Sequence, residues 1–197
     1  YHEGIVASYP LIRNKWYNIE GGSWEFSRVY ADPVRVNTFY VFSGNQLWRR
    51  YLLFRPDHPT IIKIADFAPT AIAVDARIWS ETLLVGGAAP GCIMRTLEGS
   101  KDVPTWDIEP GISVGSEPIV SISFSHSKPG KAYAVASSGI VFSKTEVNTD
   151  EKWKKEGEWP EAGIRQITVN PLHDDRIYLM TSNKVARSEN SGKNWIE

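Results

Sequence analysis

The sequence predicts an all-β protein, an arc of a β-propeller with about four and a half blades of four antiparallel strands each. Short runs of alternating apolar residues are separated by turns rich in Gly, Pro, Asn and Ser, which is typical of β-strands. The pattern recurs with starts at residues 32, 75, 125 and 170. A four-stranded unit with a period of roughly 40 to 50 residues indicates a propeller blade. No long segment has a 3.6-residue period, so helices are expected to be nearly absent.

A polar residue opens the turn between the first and second strands of each unit. Asp32, Asp75, Ser125 and Asn170 hold this position, and side chains of these types bond the backbone of tight turns. A β-rich run follows each of them and contains the residue eight positions further on. The predicted second strands are 38–42, 82–85, 132–135 and 176–180.

A small polar turn and then a third strand follow each second strand. The third strands are predicted at 47–50, 93–96, 140–143 and 185–188. The fourth strand opens at Trp106, Trp153 and Trp195 in the last three units, and it is expected at 60–64 in the first unit. Near the beginning of the sequence, 4–8 and 15–17 match a third and a fourth strand alone. The predicted division is a half blade, 1–22, and four blades, about 23–67, 68–110, 111–159 and 160–197.

A propeller must close its ring or leave sheet edges exposed to solvent. Half a blade and four blades do not make a closed ring of complete blades. We therefore expect this sequence to be a single propeller domain or a fragment of one with six or more blades. The remaining blades would come from the same chain or from another chain.

The composition is that of an ordinary globular protein and excludes some partners. The sequence has 197 residues, of which 42% are hydrophobic and 23% charged, and its formal net charge is −1. A protein that binds nucleic acid would show a strong basic excess, so no nucleic-acid partner is expected. No apolar run reaches the about 18 residues of a membrane span, and no signal segment is visible.

An octapeptide near the end of the sequence has the residues of a tight turn. Ser188, Asn190, Gly192 and Trp195 follow one another at intervals of two, two and three residues. A hydroxyl and an amide bond backbone groups inside such a loop, glycine supplies a positive φ, and the indole returns to the core. The octapeptide resembles the Asp-box of bacterial-neuraminidase-type repeats, Ser-x-Asp-x-Gly-x-x-Trp, with Asn190 in the Asp position.

With its repeats, the sequence resembles the Asp-box β-propeller proteins over nearly its whole length. That group includes sialidases, xyloglucanase-type glycoside hydrolases, sortilin-type receptors and a photosystem assembly factor. The other boxes are degenerate, since ten residues instead of seven separate Thr96 from Trp106 and Ser143 from Trp153. The resemblance implies that a box folds the turn between third and fourth strands, away from the ligand. We therefore interpret the four box residues as structural.

The resemblance places ligands on the opposite face, which consists of second-to-third turns and of loops that join one blade to the next. The candidate ligand-binding residues are Trp24, Glu25, Arg28, Glu117, Glu158 and Trp159. An indole ring beside a carboxylate suits a sugar site, and Trp is also an anchor at protein interfaces. The alternative is that Trp24 and Trp159 pack between blades and that the Glu residues form a solvated rim.

The same resemblance leaves two kinds of enzyme open. A xyloglucanase-type hydrolase needs two carboxylates across the scissile bond, but none of the four second-to-third turns carries one. A sialidase needs an arginine triad, because guanidinium groups pair bidentately with the substrate carboxylate. Arg28 and Arg165 lie on predicted first strands, but they differ by one position in register, so their side chains should point to opposite sides of the sheet.

No cofactor or metal site is expected. His2, His58, His126 and His173 lack the spacing of metal ligands, and no glycine-rich phosphate loop opens a helix. Cys92 has no indicated histidine partner, so we interpret it as a small apolar residue. No catalytic residue is assigned from the sequence.

These observations favour a recognition propeller that binds a glycan or a protein partner on the face formed by blade-to-blade loops. The alternative is a xyloglucanase-like or sialidase-like glycoside hydrolase whose catalytic carboxylates lie mostly outside this sequence. Whether the protein is an enzyme is left open at this point. We expect an extracellular or periplasmic location.

Overall fold

The computed structural model describes residues 6–8, 16–18, 28–35, 38–51, 60–65, 68–77, 80–87, 92–112, 114–115 and 117–197. Within this part of the chain every regular element is a β-strand, and the strands form five antiparallel sheets. The prediction of an all-β propeller arc is confirmed. None of the described segments forms a helix with the length and hydropathy of a membrane span. The chain divides into two compact units, Tyr1–Asp66 and Phe67–Glu197.

The first unit contains a two-stranded sheet and a four-stranded sheet. The half blade pairs β1 (Val6–Ser8) with β2 (Trp16–Asn18). Blade 1 has the order β3-β4-β5-β6, with strands Arg28–Ala31, Thr38–Ser43, Gln46–Tyr51 and Thr60–Ala65. The predicted fourth strand at 60–64 lies within β6, and the predicted strands at 4–8 and 15–17 overlap β1 and β2, which pair with each other.

The second unit contains blades 2, 3 and 4. Blade 2 comprises β7 (Pro69–Val74), β8 (Leu83–Gly87), β9 (Ile93–Thr96) and β10 (Asp107–Ile108). Blade 3 comprises β11 (Ile119–Phe124), β12 (Ala132–Ala136), β13 (Ile140–Lys144) and β14 (Lys154–Glu158). Blade 4 comprises β15 (Ile164–Asn170), β16 (His173–Thr181) and β17 (Val185–Ser188), and a bridge pairs Arg187 with Ile196 in place of a fourth strand.

In the second unit the sheets pack face to face through two apolar clusters. The first strand of blade 3, β11, contacts the first strands of both neighbours, β7 and β15. One cluster joins blades 2 and 3 and includes Leu84, Ile122 and Phe142. The other joins blades 3 and 4 and includes Val141 and Ile167. The first strands of successive sheets lie side by side, and both faces of blade 3 are buried. This unit therefore has the packing of consecutive propeller blades.

The polar residue that opens each first-to-second turn bonds the turn backbone. Asp32 Oδ1 accepts hydrogen bonds from the amides of Val34 and Arg35 at 2.9 and 2.8 Å. The equivalent acceptors in the other blades are Asp75 Oδ1, Ser125 Oγ and Asn170 Oδ1. In blade 1 the turn is also tied to its second strand, since the Tyr40 hydroxyl donates to Asp32 Oδ2 at 3.0 Å. The repeat starts thus correspond to real, equivalent turns.

The spacing of eight residues does not mark equivalent positions in blade 2. In blades 3 and 4 the residue before Ser125 or Asn170 pairs with the residue eight positions further on, as Phe124–Ala132 and Val169–Ile177 show. In blade 2 the pair is Val74–Leu83, because the turn between the strands is one residue longer. Consequently Leu84, and not Leu83, occupies the position that Tyr40, Tyr133 and Tyr178 hold in the other blades.

The same pairings correct the position of the box in blade 3. Ser188 pairs with Ile177 in blade 4, and Thr96 pairs with Leu83 in blade 2. The equivalent pair in blade 3 is Ala132 with Lys144. Lys144, and not Ser143, therefore stands where the box has its serine, because the turn before β13 is one residue longer than the turn before β17.

Candidate functional site

The box in blade 4 is a turn that its own side chains hold together. Ser188 Oγ accepts hydrogen bonds from the amides of Gly192 at 2.8 Å and Asn190 at 3.3 Å, and it donates to Asn190 Oδ1 at 3.0 Å. Asn190 Oδ1 also accepts from the Asn194 amide at 2.9 Å. Gly192 has a φ of 94°, a conformation that favours glycine. The amide of Asn190 thus supplies the acceptor that Asp supplies in the box consensus.

The two tryptophans at the end of blade 3 and in the box lie against each other. Trp159 and Trp195 make an edge-to-face contact with ring centroids 5.8 Å apart and an interplanar angle of 79°, which is a favourable aromatic geometry. Trp159 is only 3% exposed and belongs to the cluster between blades 3 and 4. Trp195 is half-buried against the same cluster.

The burial of Trp159 contradicts its interpretation as a ligand platform. A sugar or a partner side chain must reach a ring face, and this ring has no free face because Val141, Ile164 and Trp195 belong to the cluster around it. The alternative that Trp159 packs between neighbouring blades describes its position. Trp24 and Glu25, the other predicted indole and carboxylate, lie outside the described residues.

Glu117 lies where a blade-to-blade loop meets a second-to-third turn. Its Oε2 accepts a hydrogen bond from the Ser138 amide at 3.1 Å, and the Ser137 amide donates to the Pro118 carbonyl at 3.0 Å. The Trp159 amide then donates to the carbonyl of Gly139 at 3.0 Å. The loops and turns that the resemblance assigned to one face are therefore adjacent in blade 3.

The equivalent place in blade 4 holds an ion pair that the sequence did not single out. Lys184, in the second-to-third turn, reaches Glu161 Oε1 and Glu197 Oε1, both at 2.9 Å. These hydrogen bonds, first that of Glu161, raise the pKa of Lys184. Turns 137–139 and 182–184, with the loop residues Glu117 and Glu161, define what we call the loop face of blades 3 and 4.

The remaining predicted residues that the structure describes, Glu158 and Arg28, are exposed. Glu158 is exposed at the end of β14, and it pairs with Lys155 Nζ at 3.1 Å. Arg28 is exposed on β3, in the first unit, and its Nη1 donates to the Tyr30 hydroxyl at 3.4 Å. Arg165 is exposed at a bulge in β15. The predicted opposite orientation of Arg28 and Arg165 stays a prediction.

Glu109, which begins the loop between blades 2 and 3, is removed from solvent altogether. Its side chain is 1% exposed, and it contacts Lys144 Nζ and Arg95 Nε. Its Oε2 also accepts a hydrogen bond from Trp153 Nε1 at 2.8 Å. A carboxylate in this position cannot meet a ligand, and it serves the contact between two blades.

The described residues hold no group of three or more His, Cys, Asp or Glu side chains placed to bind a metal ion. His126 and His173 are exposed at the first-to-second turns of blades 3 and 4. Cys92 is a free, half-buried thiol, and its burial raises its pKa. A raised pKa lowers the thiolate fraction, which is the nucleophilic form of cysteine.

Comparison with known proteins supports the fold. No protein-family model matches the sequence, and no curated protein matches it. The chain resembles an ancestral GH74 enzyme with a TM-score of 0.66 and 16% identity, covering 87% of this chain and 24% of that one. It resembles a structure of a nidogen/laminin complex with a TM-score of 0.57 and 13% identity, covering 78% of this chain and 57% of that one.

A third similar structure is YCF48 bound to D1 peptide, with a TM-score of 0.51 and 21% identity, covering 64% of this chain and 39% of that one. All three are propeller proteins. The chain therefore spans between 24% and 57% of the length of these chains. At such low identity the similarity establishes the β-propeller fold alone.

Proposed function

We propose that this chain is a recognition propeller of the Asp-box type, which binds a glycan or a protein partner on its loop face. The supporting observation is the state of the two carboxylates at that face. Glu117 is bonded to the Ser138 amide and Glu161 to Lys184. The chain's own donors thus hold both side chains and shape a surface. An extracellular or periplasmic location belongs to the same proposal.

The chemistry of glycoside hydrolysis favours recognition over catalysis for this part of the chain. A hydrolase places one carboxyl group against the glycosidic oxygen and a second about 5 to 10 Å away, on the other side of the bond. Each group needs an oxygen that is free to exchange a proton with the substrate or with water. Glu117 Oε2 accepts a hydrogen bond from a backbone amide and Glu161 Oε1 contacts an ammonium group, so the chain itself engages one oxygen of each carboxylate, which favours a structural role for both side chains.

The similar structures support a protein or peptide partner. One is titled as a nidogen/laminin complex and another as YCF48 bound to D1 peptide, so propellers of this fold are found with polypeptide ligands. The loop face also has the mixed polar character of an interface rim, since Lys184 Nζ lies within hydrogen-bond distance of both Glu161 and Glu197.

The second candidate is a xyloglucanase-like or sialidase-like glycoside hydrolase whose catalytic carboxylates lie mostly outside this piece. The similarity to an ancestral GH74 enzyme favours it, because 87% of this chain is covered. Only 24% of the enzyme is matched, so acids on the unmatched part of a longer protein would complete such a site.

The test combines binding and turnover on the same preparation. The chain is screened against a glycan array and a peptide array, and it is assayed for hydrolysis of xyloglucan, other polysaccharides and sialosides. We expect a saturable ligand and no turnover. Hydrolysis by this chain would overturn the preference for recognition and establish the second candidate.

A pair of charge reversals then locates the binding surface. Glu161→Lys places a like charge beside Lys184 on the loop face, and we expect it to weaken binding at least about tenfold. Lys193→Glu reverses an exposed charge in the box turn and is expected to bind like the unaltered chain. If the box variant alone loses binding, the ligand does not occupy the loop face.

A further inference from the structure

Three buried charges lie between blades 2 and 3. The side chains of Arg95, Glu109 and Lys144 are 7%, 1% and 0% exposed. Arg95 Nε lies 3.0 Å from Glu109 Oε1 as an ion pair, without the alignment of a hydrogen bond. Lys144 Nζ and Trp153 Nε1 share the other oxygen, Oε2. We call these three residues the ion cluster.

The ion cluster also holds the third-to-fourth turn of blade 3. Arg95, from blade 2, donates through Nη1 to the carbonyls of Val147 and Thr149, both at 2.7 Å. Lys144 Nζ donates to the Thr149 carbonyl at 2.8 Å. Arg95 Nη2 reaches the exposed Asp150 at 3.4 Å. The turn of blade 3 is therefore ordered by Arg95 of the preceding blade together with Lys144 of its own blade.

The junction between blades 3 and 4 has different residues at the equivalent positions. There the box is closed by Ser188, which stands in the place of Lys144, and by hydrogen bonds within the box. Gly157 stands in the place of Glu109, since it pairs with Val141 as Glu109 pairs with Ile93. A side chain at 157 would collide with the carbonyl of Gly192 at 2.0 Å. The two junctions use equivalent positions, but the residues at these positions in one junction do not match those in the other.

Because these charges are buried, the difference between the two junctions favours one pair of neighbouring blades over another. Removing a charge from water costs several kcal/mol per ion unless a partner compensates it, so a buried pair contributes little stability, whereas a buried charge without its partner is strongly destabilising. Lys144 docked against glycine would be such a charge, and Glu109 docked against a box with serine would lose the ammonium group and keep only Arg95. A wrong neighbour is thereby penalised, which is how polar groups select partners.

We propose that the ion cluster is a neighbour lock, which determines that the sheet of blade 3 docks on the sheet of blade 2 and on no other blade. Repeated blades offer similar apolar faces to one another, and misassembly between domains is a common failure of repeat proteins. The lock adds a penalty to wrong docking that apolar packing alone does not supply.

The test uses Glu109→Gln, Lys144→Met and the double variant in the whole chain. Glutamine keeps an acceptor for Trp153 Nε1, and methionine keeps the length of the lysine stem. Glu109→Gln leaves two buried cations, Lys144 and Arg95, without their carboxylate, so the ratio of unfolded to folded protein in urea should rise on the order of a hundredfold or more. Lys144→Met leaves Glu109 paired with Arg95, so the ratio should rise less. The double variant removes Lys144 and Glu109 together, and Arg95 keeps its hydrogen bonds to the carbonyls of Val147 and Thr149, so it should recover part of this loss. Lys154→Met replaces an exposed lysine on the neighbouring strand β14. It is the matched control and should change the ratio little.

The lock has a signature that a merely stabilising pair lacks. The double variant should regain stability but lose uniqueness, so refolding at high concentration yields several species where the unaltered chain yields one. Amide exchange in 145–153 should accelerate at least about tenfold, and exchange in 188–195 should stay unchanged. The proposal is overturned if the double variant refolds to the same single species with unchanged exchange, or if the single variants are as stable as the unaltered chain.

Discussion

Gly157→Ala should separate blades 3 and 4. Gly157 lies on the outer strand of blade 3, where a Cβ atom would meet the Gly192 carbonyl oxygen at 2.0 Å, its carbon at 2.8 Å and the Lys193 Cα at 3.1 Å. Every one of these atoms is backbone. The φ of Gly157 lies outside the left-handed region, so the collision is the whole effect of the substitution.

The magnitude follows from the distance. Cβ contacts below 3.0 Å essentially do not occur, so the two backbones must separate by about 1 Å at this point. Overpacking typically costs about 1 to 3 kcal/mol when side chains can adjust. Because neither backbone can rotate away, we expect the upper end, about 3 kcal/mol. For a chain of this size each kcal/mol lowers Tm by about 2 to 4 °C, which gives a decrease of about 6 to 12 °C.

The assay is calorimetric unfolding together with near-ultraviolet circular dichroism. The dichroism reports on the contact of Trp159 with Trp195, which spans the same junction, and its signal should weaken in the variant. Gly87→Ala is the control, since its Cβ would meet the Cys92 Sγ at 3.2 Å and the Cys92 carbonyl oxygen at 3.8 Å, and an Ala with ordinary φ changes stability by about 1 kcal/mol or less. An unchanged Tm for Gly157→Ala would refute the close approach of box and strand.

Three further predictions concern single side chains. Ser188→Ala removes a fully buried acceptor of two amides and should cost about 1 to 3 kcal/mol, measured by urea unfolding, whereas the exposed Ser182→Ala should cost almost nothing. Hydrogen bonds from Lys131 and Ser191 lower the pKa of Asp175, so its contribution to stability is present above the ordinary pKa of an aspartate and is lost as the pH falls through the lowered pKa of the folded chain. Asp175→Asn should therefore destabilise the chain near pH 7, and its difference from the unaltered chain should shrink as the pH falls below the ordinary pKa of an aspartate. Burial, with the charge of Asp32, raises the pKa of Tyr40, so folding stability should fall above about pH 10 and the phenolate absorbance of Tyr40 should appear only with unfolding; ionisation of every tyrosine in the folded chain would contradict this.

Much of the blade pattern is local and was therefore accessible from the sequence. Alternating apolar residues define strands because successive side chains point to opposite faces of a sheet. Asp32, Ser125 and Asn170 mark turns because each bonds the amides two or three residues further along the chain. The box residues likewise contact one another within eight positions. None of these relations needs a second sheet.

The candidate site was less accessible. Glu117 does lie at a turn of the loop face, but Trp159 turned out to be buried, and its partner in that position is Trp195. Composition cannot distinguish a tryptophan that packs between two blades from one that lines a binding site. The relation of Glu161 to Lys184 would have been indicated by comparing blade 4 with blade 3, where Glu117 and turn 137–139 hold the equivalent positions.

The sequence by itself determined the all-β class, the blade period and the order of strands within each blade, because these depend on contacts between near neighbours in the chain. Only the tertiary structure decided which blade faces carry charge and which aromatic rings are buried. Those outcomes depend on how two sheets are aligned, and a difference of one residue in a turn shifts that alignment. Lys144 stands in the place of the box serine for this reason, and its partner Glu109 comes from another blade.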